Sequence, residues 1–95
     1  MDQGAELSSL PANIQVERSL LGTLLLRSEL WSGAAEALQP QDFSLDCHQR
    51  IFRAMVDLGR SQGSFDAVTL ANRLERELPI IGGEAYLTDL ECGAN

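Results

Sequence analysis

Apolar residues in this chain recur every three or four positions and almost never every second one, and that habit restricts it to helices. Ile14, Leu20, Leu21, Leu24 and Leu25 make a first stripe, widened by Val16. Leu30, Trp31, Ala34, Ala35 and Leu38 make a second, and Ile51, Phe52, Met55 and Leu58 a third. Leu70, Ala71, Leu74 and Leu78 form a fourth, and Tyr86, Leu87 and Leu90 a short last one. No alternating run is long enough to demand a strand, and no repeat period is visible.

Punctuation residues set the expected boundaries. Asn13 is a good N-cap for the first helix, and Pro40 closes a second helix over Glu29 to Leu38. Ser44 or Asp46 is expected to cap a third helix that runs to about Gln62 and stops at Gly63. Asp66 caps the fourth, Pro79 ends it, and Gly82-Gly83 precedes a last helix from Glu84 to about Glu91. Gly22, unfavourable mid-helix by about 1 kcal/mol, is expected to mark the close approach of a neighbouring helix. The expected fold is all-α, a compact orthogonal bundle of about five short helices, most of them too short for a regular four-helix bundle. With 95 residues there is room for one core. Residues 1–12, polar and aperiodic, read as a flexible lead-in, and residues 13–95 as the helical domain.

Charge narrows the function. Fourteen acidic against seven basic residues give a net charge of −7, which opposes tight nucleic-acid binding by this chain alone. All seven basic residues are arginine. Without lysine the sequence offers neither the phosphate-reaching residue of a P-loop nor the amine of a Schiff base. The two cysteines, Cys47 and Cys92, are no disulfide framework and suit a reducing cytoplasm. Leu24 to Leu26, flanked by Arg18 and Arg27, is too short a run to span a bilayer, and the acidic first residues do not resemble a signal peptide.

No residues gather into a catalytic or metal-binding constellation. His48 follows Cys47, but a structural zinc site needs four ligands, and only Cys92 remains to be added. His48 therefore reads as a hydrogen-bonded structural residue. A Cys47 nucleophile paired with His48 is disfavoured because adjacent helical side chains diverge. Glu17, Asp42, Asp46, Asp66 and Glu84 sit at expected helix starts and exposed faces, where the helix dipole and solvation account for them. Gly82-Gly83, with no lysine after it, is a weak phosphate-loop signal. Leu21, His48, Ile51, Phe52 and Tyr86 are the candidate structural residues; catalytic, cofactor and metal residues are none. Arg50, Arg53 and Arg60 share one side of the third helix, either as a solvated face or as a docking face for an acidic partner. The segment from Asp66 to Leu74 also has the look of a recognition helix, with Arg73 and Arg76 available for phosphates, so a small helix-turn-helix-like DNA-binding regulator is the alternative reading.

Taken in order, the motifs resemble the N-terminal domain of bacterial replicative DNA helicases of the DnaB type. Leu10-Pro11-Ala12-Asn13-Ile14 and Glu17-Arg18-Ser19-Leu20-Leu21-Gly22 are similar to that family's opening, with Val16 in place of its usual alanine. Asp42-Phe43, His48-Gln49-Arg50-Ile51-Phe52, Phe65-Asp66-Ala67-Val68-Thr69-Leu70 and Gly82-Gly83-Glu84-Ala85-Tyr86-Leu87 continue the likeness, and Ser44 stands where tyrosine is common. The resemblance implies a non-catalytic helical head that supports assembly of a hexameric ring and docks the C-terminal domain of primase, with a helicase loader as a further partner. It also implies that ATP and magnesium belong to a separate helicase domain, and that the helical hairpin following the head in this family has no counterpart in these residues.

Overall fold

A computed structural model describes residues 13–93, and the expected lead-in over residues 1–12 lies outside them. Six α-helical segments follow one another: α1 (Ile14–Leu26), α2 (Trp31–Ala37), α3 (Asp46–Gln62), α4 (Ala67–Leu74), α5 (Leu78–Ile81) and α6 (Gly83–Gly93). Since α5 is a single turn, the expectation of about five helices is met, and no strand occurs among the described residues. Short 3₁₀ turns at Ser28–Leu30, Pro40–Asp42 and Glu75–Glu77 join the helices.

The longest helix, α3, is the centre of the bundle, touching α1, α2, α4 and α5, while α6 lies along α1 and closes against α4 and α5. The stripes read from the sequence point inward here. Leu21, Ile51, Met55 and Leu70 are fully buried, joined by Leu24, Leu25, Phe43, Phe52, Leu74, Leu87 and Leu90. Such a leucine-rich interior is stabilised chiefly by removal of apolar surface from water. The exceptions are Ile14 and Val16, exposed at the start of α1, and the second stripe, where Leu30 is exposed and Trp31, Ala34, Ala35 and Leu38 are only half-buried.

Several boundaries follow the sequence signals. The Asn13 side chain accepts from the backbone N–H of Gln15 and Val16 at the head of α1. At the head of α4, Asp66 and Thr69 exchange reciprocal cap bonds, each 2.9 Å. Gly63 ends α3 with a φ of 83°, a left-handed turn that favours glycine.

Three expectations are corrected. Pro79 does not end the fourth helix. That helix stops at Leu74, and Pro79 stands in the first turn of α5, where a proline lacks no bond it would otherwise have made. Neither Ser44 nor Asp46 caps α3, whose N-cap is Leu45 without a side-chain bond; Asp46 is already helical, and Ser44 is turned to another partner. The second helix starts at Trp31, since Ser28–Leu30 is a tighter 3₁₀ turn. Gly22 is buried in α1, and at Gly59 in α3 a side chain has no room. A Cβ there would stand 2.5 Å from Cε2 of Trp31, so the missing side chain is what lets the indole at the start of α2 lie flat on α3.

Candidate functional site

Glu17 corrects a further expectation. It occupies the first turn of α1, as a dipole-favoured acid should, but it points inward and is wholly buried. The reason lies in its phase: Leu21, Leu24 and Leu25 follow at four, seven and eight residues, so Glu17 is the first member of the buried stripe. A buried carboxylate requires partners. The Ser44 backbone N–H donates to its Oε2 at 2.9 Å, the Ser44 hydroxyl donates to the same oxygen at 2.6 Å, and His48 Nδ1 lies 2.8 Å from Oε1.

His48, in the first turn of α3 and one turn before Ile51 and Phe52, is also wholly buried. Its other ring nitrogen, Nε2, is hydrogen-bonded to the Tyr86 hydroxyl from α6. The Tyr86 ring stacks beside the imidazole with centroids 5.9 Å apart, and the Arg18 guanidinium stands over the Tyr86 ring, 5.2 Å from its centroid. A carboxylate accepts only, so Nδ1 carries the hydrogen; the tyrosine hydroxyl then donates to Nε2 of a neutral ring or accepts from an imidazolium. Residues from α1, the segment before α3, α3 itself and α6 thus meet in one chain of hydrogen bonds.

The electrostatics follow from burial and from these hydrogen bonds. Burial alone would raise the Glu17 carboxyl, but the hydrogen bonds from Ser44 and His48 outweigh it and hold the group below the usual carboxylate range. Burial pushes the Tyr86 hydroxyl up, with Arg18 only partly opposing. The thiol of half-buried Cys47 is likewise raised by burial, opposite to the shift that makes a cysteine reactive. With Glu17 and His48 both closed to solvent, the chain of bonds serves to hold α1, α3 and α6 in register.

The candidate residues separate into two places. Leu21, Ile51 and Phe52 are in the core, and His48 and Tyr86 are in the hydrogen-bonded chain. Glu17 and Ser44, the other members of that chain, were not among the candidates. The three arginines are divided as well. Arg50 bonds Asp46 at 2.6 Å and Glu77 at 2.9 Å, whereas Arg53 and Arg60 border a cleft between α2 and α3. Arg73 of α4, offered as a phosphate contact, bonds Asp57 at 3.0 Å. Among the described residues no group of three or more His, Cys, Asp or Glu is placed to hold a metal ion, and no helix is long and apolar enough to cross a membrane.

Comparison with known proteins decides the family. The family description "DnaB-like helicase N terminal domain" matches residues 9–92, nearly the whole chain. The chain belongs to the DnaB-like helicase N-terminal domain family. The replicative DNA helicase DnaC of Bacillus subtilis is 38% identical over 82 residues, covering 84% of this chain and 18% of the helicase. The replicative DNA helicase DnaB of Buchnera aphidicola is 37% identical over 91 residues, 94% of this chain and 20% of that protein. This DnaB-like domain therefore spans about a fifth of the length of the curated relatives it matches. Among solved structures, the N-terminal domain of DnaB helicase from Mycobacterium tuberculosis superposes with a TM-score of 0.83 at 36% identity, over 90% of this chain and 60% of that one.

Proposed function

We propose that this DnaB-like domain is the non-catalytic N-terminal scaffold and interaction head of a hexameric replicative DNA helicase, supporting ring assembly and the docking of primase during replication in the cytoplasm. The match over residues 9–92 carries the reading. Two further observations support it. The helicases it resembles are about five times longer, which leaves ample chain elsewhere for an ATP- and magnesium-dependent motor. The lysine-free sequence has no means of building a P-loop of its own. The buried Glu17 and His48 and the half-buried Tyr86 spend their chemistry on one another, as befits a rigid scaffold.

The test is the solution mass of the purified chain across concentration, with and without a primase C-terminal domain, together with an ATPase assay. A dimer, or a complex with primase, supports an interface on the head. ATP hydrolysis overturns the non-catalytic reading, and a monomer indifferent to primase at about 100 μM removes the docking role from these residues. A helicase loader is tested in the same way.

A further inference from the structure

A cleft of about 390 Å³ lies between α2 and α3. Its floor is apolar, with Leu38 and Pro40 on one side and Phe52 and Val56 on the other. Its rim carries two arginines seven positions apart on α3, Arg53 and Arg60, both exposed. Two helical turns place these residues about 10 Å apart along the helix axis.

The charge arrangement around the cleft is uneven for so acidic a chain. Arg27, Arg50 and Arg73 are bonded to carboxylates, and Arg18 lies against Tyr86. Arg53 and Arg60 have no carboxylate partner among the described residues. The one carboxylate lining the cleft, Asp57, is occupied by Arg73 from α4. Arg73 thereby neutralises the group that would otherwise cancel the positive rim, and the cleft presents two guanidinium groups over an apolar floor. Guanidinium groups bind carboxylates in paired, directional hydrogen bonds. An apolar floor selects for a side chain between them, which free phosphate or a bare nucleic-acid backbone does not supply.

We propose that this cleft docks an acidic amphipathic helix of a partner protein, with carboxylates about two turns apart reaching Arg53 and Arg60 and one or two leucine-like side chains between them entering the floor. The inference rests on the interaction-domain reading and specifies one surface and the partner chemistry for it.

The probe is a labelled amphipathic peptide of about 14 residues with glutamates seven positions apart and leucines three and four positions after the first. Binding is followed by fluorescence anisotropy and by amide chemical-shift mapping on the intact chain. Saturable binding with shifts confined to α2, α3 and the turn at Pro40 is expected. Arg53→Glu combined with Arg60→Glu should weaken it at least about tenfold, whereas Arg76→Glu, an equal charge change away from the cleft, should not. Circular dichroism melts verify that the variants fold. Equal binding of a glutamine-substituted peptide, shifts elsewhere, no binding at about 1 mM, or displacement by a single-stranded oligonucleotide would each overturn the proposal. If the peptide fails while the chain still captures primase, the cleft assignment falls and the interaction-domain reading stands.

Discussion

Glu17→Ala is the most informative single substitution, because the structure fixes what it leaves behind. The His48 Nδ1–H loses its acceptor in a place closed to water, and an orphaned buried donor costs about 1–3 kcal/mol. Ser44, exposed on its other side, can turn its N–H and hydroxyl toward water, so only the charge-assisted advantage of those two bonds is lost. The space left by the Cγ methylene and the carboxylate adds about 1–2 kcal/mol. Together these come to about 2–5 kcal/mol, overlapping the general cost of removing one partner of a buried pair. A domain of this length has a total stability of roughly 5–14 kcal/mol. The melting temperature should therefore fall by about 15–30 °C, measured by circular dichroism at 222 nm with urea denaturation for the free energy. His48→Ala should fall in the same range, since it leaves Oε1 of a buried carboxylate without a donor. Replacing both residues together, Glu17→Met with His48→Leu, should recover much of the loss, because no charge is then left buried alone. A cost below about 1 kcal/mol for Glu17→Ala, or a double variant as unstable as the two singles added, would refute the reasoning.

The pH dependence follows from the same carboxylate. Its folded-state value is depressed, so its stabilisation is present above its ordinary unfolded value, near 4.3, and is lost as pH falls through the lower folded value. Urea midpoints from pH 7 to pH 3 should thus decline for the wild type and decline less for Glu17→Gln. Gly59→Ala pushes a Cβ into the Trp31 indole; despite better helix propensity it should destabilise by about 1–2 kcal/mol and shift tryptophan fluorescence to the red as the ring moves toward water. Gly63→Ala meets no neighbouring atom but must adopt positive φ, so it should cost about 1–2 kcal/mol with unchanged fluorescence, and Gly63→Asn should cost less.

The helices were legible because their evidence is local. A stripe of period 3.6 shows its face without reference to anything else, and the Asp66 cap and the Gly63 stop lie within a few residues of the bonds they make. Glu17 was not recognised because a first-turn acid already has an adequate explanation in the helix dipole, and its partners lie 27 and 31 residues away. A signal was nonetheless present. Glu17 precedes Leu21 by four residues and Leu24 by seven, just as His48 precedes Phe52 by four and Met55 by seven. Two polar residues that open two buried stripes are natural partners for each other. Pro79 was misplaced because proline is as suited to the first turn of a helix as to the position beyond its end, and only the left-handed Gly82 after Ile81 separates the two uses. The division of Arg50 from Arg53 and Arg60 rests partly on the local Asp46 and partly on Glu77, 27 residues further along the chain.

The hydrogen-bonded chain through Glu17, His48 and Tyr86 also bears on time. Its bonds join residues 31 and 38 positions apart and require three helices to be in place and dry before any of them outweighs the loss of water. Hydrophobic collapse can begin without them. Interactions formed after the rate-limiting crossing leave the speed of folding nearly untouched and act on the return journey. Once sealed, this short chain of polar contacts prolongs the lifetime of the folded head, and its loss should appear first as a faster unfolding limb.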